Sequence, residues 1–226
     1  MKAVRRWTCV GLAAMALSPA ASVAGSDPAE TEVAAPLEET APPEEAAPWS
    51  FSASVAIYIV PDTRVYAQPT LTADYEWLHL EGRYNYESLE TASLWIGGNL
   101  SLGETLTLDF TPMVGGVFGD VNGVAPGFEL ALAWWKLDFY TEAEYLFDTD
   151  DSSGNFAYAW SELAISPWEW LRLGLVGQRT NAYETDVELQ RGLLAGVAYR
   201  WLSFTAYVFD LDQDHQPVVL SLEATF

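Results

Sequence analysis

From Trp49 to Phe226, apolar and polar side chains change places at every second residue, in runs of about ten parted by turn-forming residues. Phe51, Ala53, Val55, Ile57 and Ile59 share one side of the first run, against Ser50, Ser52, Ser54 and Tyr58. Leu78, Leu80, Tyr84 and Tyr86 alternate with His79, Glu81, Arg83 and Asn85. The last nine residues set Val218, Leu220, Leu222, Ala224 and Phe226 against Val219, Ser221, Glu223 and Thr225. Side chains of a strand point alternately to its two faces, so each run has one apolar and one polar face. Nothing in this stretch sustains a 3.6-residue period. The pattern predicts an all-β protein of about twelve antiparallel strands.

Alternation alone admits two architectures. A soluble barrel or sandwich turns the apolar faces inward, and a transmembrane barrel turns them outward. Tryptophan favours the second. Trp49, Trp77, Trp134, Trp135, Trp168, Trp170 and Trp201 all fall at or beside every other turn. Indole prefers the membrane–water boundary, with its apolar body inward and its N–H toward water. The connections also sort into two classes. Those near the tryptophans are short, as at Tyr75–Trp77 and Trp134–Lys136, and the opposite ones are mostly longer and rich in Asp, Gly and Asn.

Together with the terminal Phe226, these features resemble the bacterial outer-membrane β-barrel proteins, in a porin-like form. The resemblance implies a transmembrane antiparallel up-and-down barrel in the outer membrane of a Gram-negative bacterium. It also implies a closing strand that pairs with the first, and contact with outer-membrane lipids and with the barrel-assembly machinery, which reads the terminal Phe.

The front of the chain fits that destination. Residues 1–24 read as a signal peptide: Lys2, Arg5 and Arg6 precede a short apolar core, and Ser22-Val23-Ala24 offers a cleavage site. The single cysteine, Cys9, lies within it, so the mature chain has no thiol for a disulfide, a metal or a nucleophile. Residues 25–48 hold five Pro, six Ala and seven acidic residues and no aromatic one, the composition of a disordered linker. Residues 49–226 form the barrel domain. The formal charge of −22 becomes −25 once the three basic residues of the signal are gone, which argues against nucleic-acid partners and against simple attraction to anionic lipids.

With lipid outside, the polar faces line a lumen. Glu81, Arg83, Asp109, Glu129, Asp138, Glu142, Glu144, Glu162, Arg172, Arg200 and Glu223 then point inward, and Asp109, Glu129, Glu142 and Glu162 form a carboxylate wall at mid-height. Inward Trp95, Met113, Tyr140, Tyr158, Trp160, Tyr207 and Phe209 narrow the passage, and His79 is a structural hydrogen-bonding residue. Such a lumen suits a narrow passive channel for small cationic or neutral solutes, with Glu129, Glu142 and Glu162 setting preference and Arg83 and Arg172 as counter-charges. The alternative is a plugged barrel with a structural or anchoring role, since twelve strands lie between the filled eight-stranded and the open sixteen-stranded barrels.

Enzymatic readings have less to stand on. His215 in Asp210-Leu211-Asp212-Gln213-Asp214-His215, with Asp150-Asp151, resembles the rim pairs of outer-membrane aspartyl proteases, which usually have ten strands. No other catalytic set is evident. Asp210, Asp212 and Asp214 also have the spacing that opens a calcium loop, but His215 replaces the usual glycine and no acidic residue closes it. No cofactor is expected beyond a divalent cation at the outer loops.

Overall fold

The computed structural model describes residues 49–61, 64–182, 188–213 and 216–226. The expected signal, linker, Asp214 and His215 lie outside the described residues. Among the described residues, thirteen strand segments succeed one another: β1 (Trp49–Ile59), β2 (Tyr66–Tyr75), β3 (Leu78–Tyr84), β4 (Thr91–Gly98), β5 (Leu100–Leu102), β6 (Leu106–Gly119) and β7 (Gly123–Trp134). β8 (Leu137–Asp148), β9 (Phe156–Trp168), β10 (Leu171–Ala182), β11 (Glu188–Tyr199), β12 (Leu202–Phe209) and β13 (Val218–Thr225) complete the wall.

β4 and β5 are one stave. Both pair with β6 in an unbroken register, Gly97 opposite Met113 and Leu100 opposite Phe110. The barrel therefore has twelve staves, each antiparallel to its neighbours. It closes where β1 meets β13, with Val55 opposite Leu222, and Phe51 and Phe226 exchange two backbone hydrogen bonds of 2.9 Å. Among the described residues no edge is left open, which is the condition for a sheet to stand in hydrocarbon.

The faces are inverted relative to a water-soluble barrel. Leu71, Leu94, Leu102 and Leu175 are more than half exposed on the outer wall, whereas Arg172, Glu162 and His79 are at most 2% exposed inside. Water-soluble folds bury the first group and expose the second. The rival soluble barrel is thereby excluded on packing grounds.

One end of the barrel, the turn mouth, is closed by tight connections such as Glu76-Trp77, Trp135-Lys136 and Arg200-Trp201. Glu76, Trp135 and Arg200 adopt positive φ there, the backbone that two-residue hairpins with properly twisted strands require. All seven expected girdle tryptophans sit at this mouth and are exposed. Trp168 stacks on Trp170 at 5.9 Å, and Trp49 packs against Tyr75 at 5.0 Å. The opposite end, the loop mouth, carries the longer connections, including a 3₁₀ turn at Ser152–Gly154.

Two local departures from regular strand shape the interior. Asn99 interrupts the β4–β5 stave and turns its amide inward, onto Asp74. In β9, Ser166 and Pro167 together face Arg172 of β10, a bulge, because Pro167 has no N–H to give to the ladder.

Candidate functional site: a layered lumen

The lumen is filled by side chains of its own wall, in an ionic group and an aromatic one that interleave at mid-height. The ionic group starts at the turn mouth, at Asp74 and His79, and runs to mid-barrel. Arg83 lies at its centre, its Nε donating to Glu81 Oε1 at 2.6 Å and its Nη1 reaching Glu144 Oε2 at 3.0 Å, on a stave well round the barrel. Glu129 Oε1 stands 4.0 Å from Nη2, and the guanidinium lies 4.3 Å from the Tyr86 ring centre and 4.6 Å from that of Trp95. Glu81, Glu129, Glu144 and two aromatic faces thus share one neighbourhood, with the cation between them.

His79 extends this network toward the turn mouth. Its ring bonds Asp74 at 2.8 Å through Nδ1 and Glu81 at 3.3 Å through Nε2. Asn99 donates to the same Asp74 oxygen at 2.6 Å and accepts from Thr111 at 2.8 Å, which is why the stave breaks there. Both ring nitrogens of His79 are thus engaged by carboxylates.

A second ionic cluster centres on Arg172, which the bulge aims inward. Its Nε donates to Asp138 at 2.9 Å, Nη2 reaches the same oxygen, and Nη1 donates to Glu162 at 2.5 Å. Trp160 donates to the other Glu162 oxygen at 2.8 Å. The bonds to these two arginines are charge-assisted and, for Arg172, forked, so they hold the side chains in place.

The aromatic and phenolic group starts at the loop mouth, at Tyr58, Tyr66 and Phe209, and reaches down to Tyr140, nearer the turn end of β8 than Glu144. Trp160 meets Tyr207 and Phe209 edge-on at 5.1 and 5.5 Å, Tyr58 stacks on Tyr66 at 4.9 Å, and Tyr86 meets Tyr158 at 5.8 Å. Tyr86 and Tyr140 both donate to Glu142, the second at 2.8 Å. An interior cavity lined by Tyr58, Tyr86, Tyr140, Glu142 and Trp160 measures about 30 Å³. That is the room of roughly one water molecule.

The expected site residues fall into three groups. Glu81, Arg83, Glu129, Glu142, Glu144, Glu162 and Arg172 are luminal and buried, and Glu129 lies directly opposite Glu142 in the ladder. Asp109 is brought to the same face but stands apart from the wall, near the turn mouth, accepting from Ser101 at 2.6 Å. Arg200 is not luminal: it occupies a positive-φ turn, exposed, with its guanidinium 5.4 Å from the Tyr199 ring. A turn residue of this kind has no inward direction to take. Sequence reasoning passes over Asp74, Tyr86 and Asn99 as site residues. Asp74 has a usable signal, because a two-residue hairpin at Glu76-Trp77 sets it opposite His79.

The loop acids have other partners. Asp210 accepts from the Arg191 backbone at 3.4 Å, and Asp212 pairs with the Arg191 side chain at 3.3 Å, while Asp214 lies outside the described residues. Asp150 accepts from Asn122 at 2.8 Å, and Asp151 caps the 3₁₀ turn by accepting Ser153 N–H at 3.0 Å, which holds its carboxyl below the ordinary aspartate range. Among the described residues, no three His, Cys, Asp or Glu side chains converge in a way that could hold a metal ion.

No protein-family model matches the chain, and no curated protein matches it in sequence. Solved structures do match in shape. The KdgM porin superposes with a TM-score of 0.52 over 77% of this chain and 99% of its own, at 7% identity. The KdgM porin in complex with disordered oligogalacturonate gives 0.51 over 78% and 99%, at 6% identity. The fold is that of the outer-membrane porins. At these identities the likeness is one of architecture.

Proposed function

We propose that this chain is an outer-membrane barrel acting as a narrow passive channel for small neutral or cationic solutes, held shut at rest by its own lumen side chains. The observation that carries the reading is the nature of the stopper. Among the described residues, the lumen is occupied by charged and phenolic side chains of the wall, not by a folded-in segment. A stopper of side chains can part with less rearrangement than a folded-in stretch of backbone would need. The turn mouth is assigned to the periplasm and the loop mouth to the exterior, the arrangement of outer-membrane barrels.

Sign of charge supports the solute class. Asp74, Glu81, Glu129, Glu142, Glu144 and Glu162 outnumber Arg83, Arg172 and His79, so carboxyl groups predominate in the lumen. The KdgM porin has been captured with oligogalacturonate, an anion. That ligand is poorly matched to this lumen, and we assign the chain a different preference.

Single-channel recording in planar bilayers tests the proposal. Brief cation-preferring openings are expected, lengthened by Trp160→Ala and made less selective by Glu129→Gln with Glu142→Gln. A second reading, a sealed barrel with a structural or anchoring role, is favoured by the depth of burial: Glu129 is 2% and Glu162 1% exposed. Silence of both the natural protein and Trp160→Ala at every voltage would select it.

A further inference from the structure

The chain is strongly acidic, yet two of its arginines stand on the outer wall near the loop mouth. Arg191 lies opposite Gly177 and just beyond Gly192, which pairs with Phe209, the last residue of β12. Arg179 lies two residues further along β10 and is exposed. Each stands at the rim of an outward-facing groove. The groove at Arg191, of about 540 Å³, is walled by Phe139, Leu163, Leu175 and Leu193 over Gly177. The groove at Arg179, of about 550 Å³, runs over Ala143 and Ala159 between Phe128 and Tyr145. Both volumes lie within the roughly 300–1,000 Å³ range of small-molecule sites.

Small residues make these grooves. Between the large leucines and aromatics of neighbouring staves, Gly177, Ala143 and Ala159 leave the sheet surface bare. The polar atoms of the floor are already satisfied: Thr141 donates to the Trp160 carbonyl at 2.9 Å, and its hydroxyl lies 2.9 Å from that of Ser161. What remains open is apolar and elongated, with a guanidinium at the outer end. The ion pair of Arg191 with Asp212, at 3.3 Å, is exposed on both sides, and such pairs hold weakly. An arginine at this height keeps its charge at the interface, where a lipid phosphate can accept two N–H bonds.

We propose that β7–β11 form a binding face for a diphosphorylated, multiply acylated glycolipid of the outer leaflet, two phosphates meeting Arg179 and Arg191 and acyl chains lying in the two grooves. Charge and shape complement each other here, and the pairing of one cation with each groove argues for a lipid with two anionic groups over a single-phosphate one. The proposal rests on the membrane placement of the barrel and is independent of conduction.

The test uses the full mature chain refolded in dodecyl maltoside and titrated with diphosphoryl lipid A, with bound lipid counted by native mass spectrometry. One lipid per barrel is expected, retained at least tenfold more strongly than phosphatidylglycerol. Arg179→Gln with Arg191→Gln should weaken retention tenfold or more. Gly177→Leu should do the same through shape alone, since a Cβ there meets only the Gln190 carbonyl at 3.9 Å and folding is expected to survive. Heat-modifiable migration on a gel checks that both variants fold. Retention unchanged in both folded variants, or phosphatidylglycerol held as strongly as lipid A, would overturn the proposal. Failure of the membrane placement would show separately, as a barrel that folds in buffer without detergent.

Discussion

Among single side chains, Arg83 matters most to the interior. It is 4% exposed and holds Glu81 and Glu144 directly, with Glu129 close by. Removing one partner of a buried ion pair strands the other charges and typically costs about 3–5 kcal/mol. Arg83→Ala is therefore expected to destabilise the barrel by that order, read as a lower urea midpoint in detergent. Adding Glu81→Gln should recover part of the loss. Gly115 shows the opposite kind of constraint. The Trp95 ring lies flat on it, so a Cβ would come within 2.5 Å of ring atoms. Gly115→Ala should cost about 1–3 kcal/mol as Trp95 is pushed from its place over Arg83, seen as a shift in tryptophan fluorescence. Neither relation can be inferred from alternation. Period two says which residues turn inward, and both Glu81 and Glu144 are assigned to the lumen that way. That Arg83 reaches Glu144, 61 residues on, depends on barrel curvature and rotamers, which strand patterns do not encode.

At the level of the staves, most of the architecture is legible in the sequence. Those from Leu78 to Phe226 largely follow their alternation, because lipid and lumen impose opposite demands on adjacent side chains. Tyr86, grouped with the apolar face of its run, lies instead in the lumen against Glu142, because β3 ends at Tyr84 before it. Arg200 escapes the pattern because alternation fails at its ends: a tight turn resets the direction of the chain. The break at Asn99 is hidden too, since its cause is Asp74, on a stave two places away. Outer-wall positions on the closing strand should follow bilayer depth. Leu222, midway along β13 and exposed, is expected to lose about 2–4 kcal/mol on substitution by Arg, checked by reversible unfolding into lipid vesicles. In the loop between β8 and β9, the lowered pKa of Asp151 means its cap is intact above the ordinary aspartate range. It is lost only as pH falls through the lowered value. The Ser153 amide resonance, followed by NMR as acid is added, should move at that point.

For the barrel entire, inverted faces and a full lumen have two outcomes. Folding should need detergent or lipid, and conductance should be set by side-chain motion more than by loop motion. Opening the aromatic group with Trp160→Ala is therefore expected to raise open time, whereas shortening the loop from Asp148 to Asn155 should leave it unchanged. The placing of the two groups along the axis also has an electrical side. Carboxyl groups reach the turn mouth at Asp74 and rings reach the loop mouth at Tyr58 and Phe209, so a cation entering at the turn mouth should meet attraction before the narrow place, and one from the loop mouth only afterward. Such a passage is expected to rectify: equal voltages of opposite polarity should drive unequal currents, and the direction of easier flow would report which way the protein sits in the bilayer.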